Sequence, residues 1–270
     1  MVSVPVLTYH SQNIAGEDYA ENDHAAFASD LSTITQMGLR VIPLSRLLDW
    51  LLGKRPDEDL RNAVCLTFDD GCDFDVRDLD FPGHGLQRSL LGIMEDFIRR
   101  EGADTQPGLH ATSFVIASRD ARRIIDEKRL FGRDWISDNW WRDANEHPQM
   151  SIGNHGWDHN HPDLEGENRG GFSSISSHSG CLEQVVRAGA AIEAITGRWP
   201  RVFAYPFGES SDYLRETFFP EHTEVHGCLA AMGTEPAPVN RASDRWNLPR
   251  YVCGRDWRSP ETLQQILSAD

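Results

Sequence analysis

The stretch Ala63-Val64-Cys65-Leu66-Thr67-Phe68-Asp69-Asp70-Gly71 decides how this chain is read. Its first six residues form a short apolar run of strand-favouring type, ending abruptly in two carboxylates and a glycine, which reads as a buried strand delivering acidic groups at its carboxyl end. Gly71 lets the backbone turn sharply after them. Two adjacent like charges resist ionising together unless a cation or hydrogen bonds stabilise them. A metal bound by one aspartate, with the other left free as a base, would resolve that conflict. An ordinary Asp-Asp-Gly turn or helix cap is the plain alternative.

Outward from this strand, short β-rich runs alternate with amphipathic ones. Val4 to Tyr9 precedes Phe27, Leu31 and Ile34 at helical spacing; Leu39 to Leu44 precedes Leu47 to Leu52. Further runs are Leu86 to Ile98, Ala111 to Ala117 and Met150 to Ile152. A helix is expected over Leu182, Val185, Val186, Ile192 and Ile195, stopped by Gly197, before Val202 to Tyr205 and Leu248 to Val252. This alternation predicts an α/β fold with a largely parallel sheet. The segment from Arg119 to Pro148, with Trp135, Trp140 and Trp141, reads as an elaborated loop with one short helix. Polar residues gather at strand ends: His10 after the first, Asp69 and Asp70 after the third, His155 after Met150–Ile152, and Pro206-Phe207-Gly208 after Val202. In parallel α/β folds such ends meet at one mouth.

His155-Gly156-Trp157-Asp158-His159 supplies two histidines at i and i+4, a spacing that puts both imidazoles on one face of a helical turn. With 11 histidines in 270 residues, chance supplies about 0.4 such pairs. His222 and His226 form another, which no preceding strand or carboxylate motif supports. His161 reads as a loop residue or a partner of the ligands. Asp70, His155 and His159 make a one-carboxylate, two-imidazole set suited to one divalent metal, zinc before others, with a position open for water. Asp69 is then placed to act as general base.

The chain has 270 residues, with 26 Lys and Arg against 42 Asp and Glu, a formal charge of −16. That argues against nucleic acid or an anionic membrane as partner, both of which reward clustered positive charge. No apolar run is long enough to span a bilayer. The start Met1-Val2-Ser3-Val4-Pro5-Val6-Leu7 lacks the pattern of a secretory signal, so a cytoplasmic protein is expected. Five scattered cysteines form neither a disulfide framework nor a thiolate metal site. Without repeats or a linker-like stretch, residues 1–270 are expected to form one catalytic domain.

The TFDDG segment at 67–71, HGWDH at 155–159 and Phe203-Ala204-Tyr205-Pro206-Phe207-Gly208, in that order, resemble the NodB-like polysaccharide deacetylases, carbohydrate esterase family four. The opening Val4-Pro5-Val6-Leu7-Thr8-Tyr9-His10 and Leu248-Pro249-Arg250 are similar to one subgroup of that family. The resemblance implies a distorted (β/α) barrel of about seven strands. It also implies metal-dependent removal of acetyl groups from an N-acetylated amino sugar or polysaccharide. By the same resemblance Asp69 falls on the catalytic base, Asp70, His155 and His159 on the metal ligands, and Phe207 on the backbone donor to the oxyanion. Tyr205 and Trp157 are expected to line the sugar groove or support its loop.

Two departures stand out. Where the family often carries an arginine holding the base, this chain has Ala204; Arg250, from another strand, can supply that guanidinium, because a bidentate contact needs geometry rather than sequence position. No histidine follows His226, so the family's usual catalytic acid near the C-terminus is missing, and His10 is the candidate for that role. Two other functions remain open: an amidase acting on a non-sugar amide or imide, and a non-catalytic carbohydrate-binding relative.

Overall fold

A computed structural model describes residues 2–14, 16–165 and 171–268. Among the described residues are ten strands: β1 (Val6–His10), β2 (Arg40–Val41), β3 (Ala63–Asp69), β4 (Leu79–Phe81), β5 (Gly85–Gln87), β6 (Ala111–Val115), β7 (Met150–Asn154), β8 (Val202–Ala204), β9 (Ala230–Met232) and β10 (Tyr251–Val252). Seven of them run in the order β10-β1-β3-β6-β7-β8-β9, all parallel, with β2 added beside β3. The sheet curls into a distorted (β/α) barrel. Its ends approach through one segment: Leu248 bridges in parallel to Met232 of β9, and three residues later Tyr251 pairs with Leu7 of β1. Arg250 lies between those two contacts and is fully buried.

β3 is buried along its whole length, as a central parallel strand must be. Its side chains alternate. Val64, Leu66 and Phe68 join Leu7 and Tyr9 in the apolar layer shared with the helices, whereas Cys65 joins Val6, Phe114, Ala204 and Met232 in a second cluster that fills the barrel and runs into the helix Leu44–Leu51. The two-residue period therefore carries Asp69 and His10, which are register partners, to the inward face at the carboxyl ends of β3 and β1.

The helices show ordinary capping chemistry. Asn22 accepts from the backbone N–H groups of His24 and Ala25 at the start of Asp23–Gln36, and Ser89 accepts from Gly92 N at the start of Leu90–Glu101. Gly197, at φ 73, ends the helix Ala188–Thr196 in the left-handed conformation its position requires. The segment expected as a loop with one short helix holds two, Arg119–Arg129 and Trp141–Glu146. The first is eleven residues long and capped by Ser118; only Ala121 and Ile125 of its apolar residues are buried, so its charges hide the amphipathic period. Between β3 and Leu90 the chain also inserts an antiparallel hairpin, β4–β5, that no periodicity signalled. All five cysteines are buried and free, and no described helix is long and apolar enough to cross a membrane.

Candidate metal and catalytic site

The turn after β3 places two carboxylates differently. Asp69 ends the strand in extended conformation, while Asp70 sits at φ 74 and Gly71 at φ 70. A Cβ on Gly71 would come within 2.7 Å of the Val115 side chain and 3.0 Å of its Cα, so only glycine lets this turn press against β6. Asp70, His159 and Phe207, all non-glycine residues in the left-handed region, belong to the same site. Each such residue costs about 1–2 kcal/mol and persists only where its surroundings over-determine it.

Asp70 Oδ1 lies 3.5 Å from His155 Nε2 and 3.3 Å from His159 Nε2, and the candidate ligand atoms of all three fall within 4.8 Å of one another. His155 leaves the end of β7, with its backbone N–H donating to Val115 O. Its Nδ1 bonds the carbonyl of Ala204 at 2.9 Å, which fixes the tautomer and leaves the Nε2 lone pair facing the site. The expected helical turn is absent here: residues 155–159 form an irregular loop, opened by Gly156 at φ 87 and closed by His159 at φ 64. The i, i+4 spacing therefore brings the imidazoles together through a strand end and a turn. Gln12 donates from Nε2 to Asp70 Oδ2 at 2.8 Å, turning the other carboxylate oxygen toward the histidines. Two imidazole lone pairs and a carboxylate oxygen converging at this range are the donor set of a divalent first-row metal.

Asp69 is held by Arg250 through two parallel bonds, Nη1 to Oδ1 at 2.8 Å and Nη2 to Oδ2 at 2.9 Å. Arg250 Nε donates to Gly233 O and Nη1 also reaches Thr67 Oγ1, so the guanidinium is anchored on both sides of the barrel closure. Burial by itself would raise the Asp69 carboxyl; the charges of Arg250 and His155 outweigh it and hold the group below the usual carboxylate range. His10 and Phe207 line the same cavity, of about 700 Å³, with Asp69, Asp70, His155 and His159. Phe207 follows β8, is 56% exposed and meets the His159 ring edge-on at 4.6 Å.

Two expected groove residues lie elsewhere. Tyr205 is fully buried, its hydroxyl donating to Trp246 O, because the strand alternation points it into the apolar cluster behind β8. Trp157 is outside the cavity with the Arg187 guanidinium 3.6 Å above its ring, and its backbone is tied to Gln184 and Ser118, so it braces the 155–159 loop. His226 is buried and bonded to Phe219 O and Cys228 N, away from the metal-type cluster.

Beneath the site lies a polar network that no motif announced. Asp75 is fully buried, its two oxygens bonded at 2.6 Å to the hydroxyls of Ser11 and Ser113; Ser11 also meets His24 Nε2 at 2.9 Å. It ties the end of β1 and the middle of β6 to the segment that follows the Asp70 turn. Burial pushes the Asp75 carboxyl up to about 7 and the His24 imidazole down to about 4. A raised carboxyl stays protonated in the folded chain while the unfolded chain ionises, so its contribution to stability falls as pH rises from about 4 to about 7. His24, neutral when folded, has the opposite slope between about 4 and 6.5. Asp75→Asn, which cannot ionise, is expected to gain stability relative to the wild type by up to about 4 kcal/mol between pH 4 and 7. Urea unfolding of both proteins at pH 4.5 and 7.5 measures this; an identical difference at the two pH values would refute it.

Comparison with known proteins follows the same lines. Residues 105–218 match the family model described as polysaccharide deacetylase. No curated protein matches the chain significantly. Among solved structures, the Streptococcus pyogenes deacetylase PplD in complex with acetate superposes with a TM-score of 0.68 at 17% identity, covering 99% of each chain. IcaB from Ammonifex degensii gives 0.67 at 20% identity over 100% of this chain and 98% of that one. The putative polysaccharide deacetylase BA0330 from Bacillus anthracis gives 0.63 at 16%, covering 98% of this chain and 69% of its own. At these identities the structural likeness is one of fold. The matched segment resembles the polysaccharide deacetylase family, and the whole chain shares the barrel fold of these deacetylases.

Proposed function

We propose that the protein is a metal-dependent hydrolase that removes an N-acetyl group from an amino sugar or polysaccharide. The observation that carries this reading is the convergence of Asp70, His155 and His159 beside a carboxylate, Asp69, that is clamped by Arg250 at the mouth of the barrel. Asp70, His155 and His159 would hold one divalent metal, with zinc the best match to two nitrogens and an oxygen. Such an ion supplies a Lewis acid and a bound water of lowered pKa.

The remaining roles fall to the chain's own groups. The Arg250 fork uses one lone pair on each Asp69 oxygen, leaving the others to accept the proton of the attacking water. The Phe207 backbone N–H donates to the oxyanion of the tetrahedral intermediate. His10 delivers a proton to the departing amine; its Nδ1 has no hydrogen-bond partner among the described residues. The test is acetate release from N-acetylglucosamine oligomers. Activity is expected to vanish after chelation and to return with zinc or cobalt. Full activity in chelated protein would eliminate the metal role, and metal-loaded protein that releases no acetate from any N-acetylated sugar would eliminate the substrate class.

A further inference from the structure

One short turn gives the catalytic cavity two arginines that neither the metal ligands nor the base uses. After β10 the chain runs Cys253-Gly254-Arg255-Asp256-Trp257-Arg258, and Arg255 and Arg258 both line the cavity that holds Asp69, Asp70 and His155. The turn is fixed from beneath. Trp257 is buried with its Nε1 donating to Asp30 Oδ2 at 3.0 Å, Cys253 bridges to Trp257, and Asp256 Oδ2 accepts from Val252 N at 2.7 Å. Asp256 grips Arg255 at two points, Nε to Oδ1 at 2.9 Å and Nη2 to Oδ2 at 2.8 Å, while Arg255 Nη1 donates to Thr234 Oγ1 at 3.1 Å. Thr234 also lines the cavity and packs so closely on Gly208, at φ 71, that a Cβ there would come within 2.0 Å of its Oγ1. Arg255 is therefore pinned on the side of the cavity that carries Phe207 and Gly208.

Arg258 has no such match. Its Nε donates to Gly254 O, its side chain is exposed, and it forms no ion pair among the described residues, so its two terminal NH2 groups are left to a ligand. The carboxylates of the site do not call for it: Asp69 is matched by Arg250, and Asp70 faces His155, His159 and Gln12. Asp23 in the cavity lining is buried and accepts from His10 N, which leaves Glu21 as an exposed carboxylate of the same lining. A planar guanidinium fork matches the paired oxygens of a phosphate or carboxylate. The chain as a whole carries a formal charge of −16 and repels an extended polyanion, so the anion these arginines select is a small group held within the cavity. We propose that Arg258, with Arg255 beside it, forms a specificity subsite for an anionic substituent, a phosphate ester or a carboxylate, on the sugar whose acetyl group is removed. This rests on the amino-sugar reading above and adds to it the charge of the substrate.

Acetate release from N-acetylglucosamine, its 1-phosphate and 6-phosphate, and N-acetylmuramic acid tests the subsite and separates phosphate from carboxylate. In the wild type, kcat/KM for at least one anionic sugar is expected to exceed that for N-acetylglucosamine about tenfold at low salt, the range of one charge-assisted contact. The advantage is expected to shrink between roughly 0.02 and 0.3 M sodium chloride, as screening weakens an exposed pair. Arg258→Ala is expected to bring the ratio of anionic to neutral substrate close to one, Arg258→Glu to invert it, and Arg258→Lys, which keeps the charge without the fork, to retain part of it. Arg99→Ala removes an exposed guanidinium on the helix Leu90–Glu101 and is expected to keep the wild-type ratio. A wild type with no preference for any anionic sugar, or Arg258→Ala lowering every rate alike with the ratio intact, would overturn the subsite while leaving the deacetylase reading standing. Metal-loaded protein that releases acetate from none of these sugars would overturn the amino-sugar reading and the subsite with it.

Discussion

Asp69→Asn is expected to lower kcat by about three orders of magnitude, within the range a positioned general base contributes, while the protein still binds its metal. The amide matches the carboxylate in shape but cannot take a proton from water. It also turns an NH2 group toward the Arg250 fork, which already presents two N–H donors at 2.8 and 2.9 Å, so one of those bonds is lost. Asp70, His155 and His159 are untouched by the change. Measuring kcat and metal content on the same sample separates the two effects. A variant within tenfold of the wild type with metal retained would remove Asp69 from the role of base.

Arg250→Met is expected to act on both stability and pH dependence. The guanidinium is fully buried and is the cationic partner of a buried carboxylate, so its removal strands a charge in the barrel at a cost of about 3–5 kcal/mol. Burial favours the neutral acid and Arg250 opposes it; without Arg250 the Asp69 carboxyl rises from its depressed value. A base must be ionised to act, so the acidic limb of kcat/KM moves to higher pH in the variant. Arg250→Lys keeps the charge without the planar fork and is expected to fall between the two. An unchanged acidic limb in Arg250→Met, in protein shown to be folded, would contradict the assignment.

Much of the architecture was legible because it rests on local rules. β3 could be read directly, since an apolar run flanked by a turn has few other fates, and the positions of His10, Asp69 and His155 at strand ends followed from the parallel arrangement. The Arg250 contact was accessible by a different route: a buried base needs a cation, and Ala204 leaves the usual place empty. What remained hidden depends on groups distant in sequence. Nothing local to Ser11, Asp75 or Ser113 says that they will meet, nor that Gln12 will hold Asp70, because those contacts form only when β1, β3 and β6 lie side by side. The spacing of His155 and His159 suggested a helix because i, i+4 is helical by default, whereas Gly156 and the left-handed His159 bring the rings together by another path. Tyr205 was expected to line the groove or support its loop from the family resemblance of the segment 203–208. One step of strand alternation is enough to bury it.

The central claim is that Asp70, His155 and His159 hold a catalytic metal, and metal content measures it most directly. Protein purified without added metal or chelator, then assayed by elemental analysis, is expected to contain close to one equivalent of a divalent ion, zinc foremost. Asp70→Ala and His155→Ala are expected to contain almost none, since losing one of three ligands leaves too few to hold it. Metal-free wild type, even after incubation with zinc and cobalt, would contradict the account and give precedence to a carbohydrate-binding role without hydrolysis.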